Sequence, residues 1–153
     1  MYKRQIIERL EEVEKEDIQA EYARAGSLRN ALSGISHFAY AQLLDDTHII
    51  RAIFTHFRNY PREDKNDWLD LRRRASQTII EVVRVYKNEV RRHDIDRAAD
   101  MLVYFYNTIF LERILIADPA LLDKPPLDAY ELIEEITDFA YGYLTMPKTK
   151  RPD

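Results

Sequence analysis

The sequence predicts an all-α protein, a multi-helix bundle forming one domain. Apolar residues recur at intervals of three and four along six segments, the spacing that places them on one face of a helix. Glycine totals three and proline six in 153 residues, fewer glycines than a fold built on many tight turns needs. The best capping residues and most of the prolines fall between the periodic segments, where helices must stop and start.

Residues 4–24 read as a charged helix with a thin apolar stripe of Ile6, Ile7, Leu10, Val13 and Ile18. Ala25-Gly26-Ser27 breaks it: Gly26 suits the residue just past a helix, and Ser27 suits an N-cap. Residues 28–44 form the next helix, with Leu28, Leu32, Ile35, Phe38, Ala39 and Leu43 at helical spacing. Gly34 inside it costs up to about 1 kcal/mol of propensity, and its bare face suits close approach of a neighbouring helix or a ligand. Asp45 or Asp46 caps a helix over 47–59, which Pro61 ends, and residues 61–66 read as a polar loop.

Residues 67–92 carry the longest signal, with Leu71, Ala75, Thr78, Ile79, Val82, Tyr86 and Val90 in register. At the usual rise such a helix is about 39 Å long. Its end, Arg91-Arg92-His93, places positive charge where the helix dipole favours it. Asp94 or Asp96 caps a helix over 97–117, which Pro119 stops. Pro125-Pro126 stiffens the connection, Asp128 starts the last helix over 129–144, and residues 147–153 read as a disordered tail.

The last two helices each carry two apolar stripes. In 97–117 one stripe is Ala98, Met101, Leu102, Phe105 and Ile109, and the other Val103, Tyr106, Phe110, Ile114 and Ala117. In 129–144 one is Tyr130, Ile133, Thr137, Ala140, Tyr141 and Leu144, and the other Leu132, Ile136, Phe139 and Tyr143. One stripe suffices to face a core. The simplest cover for a second stripe on both helices is a symmetric partner, giving a four-helix interface. A compact monomeric bundle that buries both is the alternative.

Composition bounds the function. The chain is 46% hydrophobic and 33% charged, with no apolar run long enough to cross a membrane and no signal-peptide pattern, so a cytoplasmic location is expected. Cysteine is absent, which removes disulfides, thiolate catalysis and cysteine–zinc sites. The net charge of -4 argues against a broad nucleic-acid surface. Residues 58–92 hold ten Lys/Arg against six Asp/Glu, and 118–141 one Lys against seven Asp/Glu, which read as solvated helix faces.

Little catalytic chemistry is visible. His37, His48, His56 and His93 form no His-x-x-x-His or Glu-x-x-His pair, so no metal site is expected. Ser27, Ser33, Ser36 and Ser76 lack a nucleophile elbow, and there is no glycine-rich phosphate loop. Neither a cofactor nor an enzymatic activity is expected. Glu112-Arg113, in an otherwise apolar helix, suits a salt bridge, an acidic partner or a carboxylate ligand. Ten tyrosines favour a partly apolar pocket with polar tips.

The order of these features resembles the C-terminal ligand-binding and dimerisation domain of TetR-family transcriptional regulators. The resemblance is carried by residues 79–117, "IIEVVRVYKNEVRRHDIDRAADMLVYFYNTIFLERILIA", in which a long helix ends in a basic turn and "DIDRAADMLVYF" opens a dimerisation helix. "LDAYELIEEITDFAYGYL" resembles the final helix of that domain, and "GSLRNALSGISHFAYAQLLDDTHIIRAIFTHFRN" the pair that begins it. The match is one of helix order and texture over residues 6–144.

The resemblance implies a single domain over 1–146, with 4–24 as the connecting helix after a helix-turn-helix domain that this chain lacks. DNA would then be reached only through that missing domain. The implied partners are a second copy of the chain and a small apolar or aromatic effector. The implied effector site lies among helices 28–44, 67–92 and 97–117, with 47–59 nearby, and involves His37, Phe38, Phe54, Phe57, Tyr86, Tyr104 and Phe105. The implied dimer seam runs along helices 97–117 and 129–144 through Leu102, Tyr106, Ile109, Arg113, Ile133, Ile136, Ala140 and Tyr143. A protein-interaction module with no small ligand is the alternative.

Overall fold

The computed structural model describes residues 20–45, 62–115 and 127–147, and all the regular structure in them is helical. After a helical turn at 20–23 come α1 (Leu28–Asp45), α2 (Arg62–Val85), α3 (Ile95–Leu115) and α4 (Ala129–Thr145). Helix α1 packs chiefly on α4 and α2 on α3, and contacts of α1 with α3 join the two pairs. Most of the expected helix over 4–24, the expected helix over 47–59, the proline-marked connection and most of the tail lie outside the described residues. No described helix is long and apolar enough to cross a membrane.

All four helices contribute side chains to the core. Leu28 and Leu32 of α1, Val82 and Val83 of α2, Leu102 and Phe110 of α3, and Ile136 and Leu144 of α4 are all fully buried. Near its centre the Phe110 ring leans against both Tyr40 and Tyr106, and Tyr106 carries the buried phenol. Its phenol meets Ser36 Oγ at 3.0 Å, and Thr137 Oγ1 lies 3.4 Å from the same oxygen. Proton counting orders this node. Ser36 donates to Leu32 O at 2.9 Å and Thr137 to Ile133 O at 2.7 Å, so Tyr106 must be the donor to Ser36. Three helices thus meet at buried polar atoms that are all satisfied, and burial pushes the Tyr106 phenol up to about 12.

Two polar links lie outside this core. Arg29 of α1 reaches Asp138 at 2.6 Å and Glu134 at 3.0 Å, so two carboxylates of α4 are paired across the α1–α4 contact. Ser76 of α2 donates to Asp100 of α3 at 2.6 Å.

The helix ends depart most from expectation. Gly26 takes φ 79°, the left-handed conformation expected after a helix, and Ser27 Oγ accepts from Asn30 N at 3.2 Å as an N-cap. Asp94 caps α3 by accepting from Arg97 N at 3.0 Å, and Asp128 and Glu131 form a reciprocal capping box on α4. Helix α2, however, starts at Arg62 rather than 67, since a polar turn of good helix formers continues into the apolar stripe. It stops at Val85 rather than 92, because the next residues bond to other helices.

Residues 86–94 form a strap over those ends. Tyr86 donates its hydroxyl to Tyr22 O at 2.5 Å, closing the turn before Gly26. Glu89 Oε1 accepts from Leu28 N at 3.1 Å, placing a carboxylate at the N-terminus of α1. Arg91 N donates to Leu144 O at 2.9 Å, and Arg92 Nε to Tyr143 O at 2.6 Å. The basic turn expected to complement the dipole of its own helix instead serves the C-terminus of α4.

Gly34 faces the ring of Tyr22, but an added Cβ would stand 3.6 Å from Tyr22 Cε1, an ordinary contact. Close approach therefore does not require glycine there. Replacing Gly34 by Ala is expected to stabilise the fold by up to about 1 kcal/mol in urea unfolding. The polar node gives an asymmetric pair. Ser36→Ala strands the Tyr106 hydroxyl and costs about 1–3 kcal/mol, whereas Tyr106→Phe strands nothing in the node and costs less. In the unfolded chain the phenol ionises near 10.0, and in the fold near 12. Its contribution is therefore complete below pH 10 and is lost between 10 and 12, where the unfolded state sheds the proton first. Stability measured across that window should fall less steeply in Tyr106→Phe.

Candidate functional site

Among the described residues, those expected to line an effector site do not converge. His37 and Phe38 are exposed on α1, and Phe54 and Phe57 lie outside the described residues. Tyr86 is half-buried and engaged in the strap. Tyr104 is 55% exposed with Arg72 above its ring, 5.7 Å from the centroid. Phe105 stacks on Phe139 of α4, with ring centroids 3.8 Å apart and planes 19° from parallel. The centre of the described bundle, where a ligand would be enclosed, is occupied by Tyr40, Tyr106 and Phe110.

A surface cleft of about 520 Å³ does open elsewhere, between α2 and the start of α3, lined by Ile80, Arg84, His93, Asp94, Ile95 and Asp96. Its polar groups are largely committed. Arg84 pairs at 3.0 Å with Glu81, which is buried and also accepts from Gln77, and Asp94 is spent as the cap of α3. Among the described residues no group of three His, Cys, Asp or Glu is placed to hold a metal ion.

The residues expected at a dimer seam divide into two sets. Leu102, Tyr106, Ile133, Ile136 and Ala140 are buried within the chain's own core. Ile109, Arg113 and Tyr143 are half-buried at the surface. The division follows from how the helices are rotated. Helix α3 turns Leu102, Val103, Tyr106 and Phe110 inward, drawing on both of its stripes. Helix α4 turns Ile133, Thr137, Ala140 and Leu144 inward with Ile136, leaving Leu132, Phe139 and Tyr143 outside.

What remains outside is a second apolar surface that spans both helices. Met101 and Tyr104 are about half exposed on α3, Phe105 and Ile109 are half-buried beside them, and Phe139 on α4 is 50% exposed. The Phe105–Phe139 stack bridges the two helices within this surface. Sequence periodicity marks the excess apolar surface, but it does not single out Met101 or Phe139 from the buried members of the same stripes. Tyr104 falls in neither stripe.

These two faces are separable by mutation. Leu102→Ala is expected to cost about 2–5 kcal/mol in chemical denaturation, the usual range for a buried leucine. Phe139→Gln is expected to cost under about 1 kcal/mol of protomer stability, measured at a concentration too low for association. No family model, curated protein or solved structure matches this chain.

Proposed function

We propose that this chain is a self-associating helical domain of the effector-sensing type that TetR-like transcriptional regulators carry, with α3 and α4 as its dimer seam. The observation that carries the reading is the half-exposed Phe105–Phe139 stack on the outer face of those two helices. An outer apolar face on two neighbouring helices is self-complementary under a twofold axis, and it gains by burial what the core stripe cannot use. In this reading the seam consists of Met101, Tyr104, Phe105, Ile109, Leu132, Phe139 and Tyr143, and DNA is contacted by a separate helix-turn-helix domain rather than by these helices. The arginine run of α2 fits that division, since Arg72 lies over Tyr104 and Arg73 pairs with Asp70 at 2.7 Å.

The effector part of the reading rests on the order and texture of the helices. A second reading, a helical interaction module with no small ligand, is favoured by the aromatic filling of the bundle centre. The two differ on the ligand.

Light scattering tests association. The expected mass is twice 18.2 kDa for the native chain and 18.2 kDa for Phe139→Glu with helicity retained. A native monomer at high micromolar concentration discards the self-associating sensing domain. A concentration-dependent rise in melting temperature with small apolar aromatics selects the sensing reading, and its absence across such a panel selects the module.

A further inference from the structure

We propose that the 86–94 strap is a relay coupling residues 20–25 to the C-terminal end of α4, so that displacing either end loosens the other. The two ends of the strap hold different helix ends. At its N-terminal end Tyr86 donates to the carbonyl of Tyr22, with the Ala23 carbonyl 3.3 Å away. At its centre Glu89 fixes the first amide of α1, directly after that turn. Two residues on, Arg91 and Arg92 take the carbonyls of Leu144 and Tyr143, and the Arg92 guanidinium lies 4.2 Å from the centroid of the Tyr143 ring.

These contacts have little slack. Val90 packs on the core between the two sets of contacts, and the strap is bounded by α2 at Val85 and by α3 at Ile95. Asp94 is held as the cap of α3. A shift of residues 20–25 that breaks the Tyr86 bond leaves the strap tied only at Glu89 and beyond. A shift of α4 that frees Arg91 and Arg92 releases the same segment from its other side. Each loss leaves helix-end groups without their partners, so the segment tends to hold or release as a unit. Tyr143 also borders the outer face of α3 and α4, so the relay ends at that surface.

Hydrogen exchange followed by mass spectrometry on the whole 153-residue chain tests this. Tyr86→Phe removes one hydroxyl and should speed exchange at 20–28 about fivefold, the factor that a lost hydrogen bond implies. The relay predicts that exchange at 141–147 also rises, by at least about twofold, while the middle turns of α2 and α3 stay unchanged. Arg92→Ala should act in reverse, speeding exchange at 141–147 and then at 20–28. If Arg92→Ala loses helicity, Tyr86→Phe alone decides. A rise confined to the mutated end, an even rise over all helices, or no rise at all overturns the proposal.

Discussion

Every α-helix leaves backbone donors at its start and acceptors at its end that need partners. In this protein one short segment supplies many of them. Between Tyr86 and Asp94 the chain closes the turn at Tyr22, caps the start of α1 through Glu89, takes the last carbonyls of α4 through Arg91 and Arg92, and caps α3. The length of α2 follows from this. Tyr86 and Val90 stand at helical spacing, yet the helix stops at Val85, because the residues beyond it are bonded to other helix ends.

The interior is organised around a second constraint, a buried hydroxyl node among apolar side chains. Ser36, Tyr106 and Thr137 come from three helices and leave no buried side-chain polar atom unsatisfied among the described residues. Such a node is costly unless complete, which ties the rotation of α1, α3 and α4 to one arrangement. That rotation settles which apolar residues point inward. Once Tyr106 and Thr137 face the node, Phe139 and Met101 must face outward, and the outer surface of α3 and α4 is a consequence of the core.

The functional reading depends on the same geometry. The centre that a small ligand would occupy holds Tyr40, Tyr106 and Phe110, while apolar area is left over on the outside of two adjacent helices. Charge supports the division of surfaces. Glu134 and Asp138 of α4 are paired with Arg29 across the α1–α4 contact, on the other flank from Phe139 and Tyr143.

The sequence by itself determined the helical class, most helix limits and the local caps. Periodicity, Gly26, Ser27, Asp94 and Asp128 act within a few residues of the backbone they control, so short-range chemistry is enough to read them. It also marked helices α3 and α4 as richer in apolar surface than a single core stripe requires. Which members of those stripes are buried was not legible, because periodicity shows that a face is apolar and not which neighbour it meets. Leu102, Tyr106, Ile133, Ile136 and Ala140 belong to the protomer's interior, and only packing of α1 and α4 against α3 decided that. The strap was hidden for the same reason. Tyr86, Glu89 and Arg92 continue a helical pattern, but their partners lie 51 to 64 positions away in the chain, and only the tertiary structure brings those helix ends within reach.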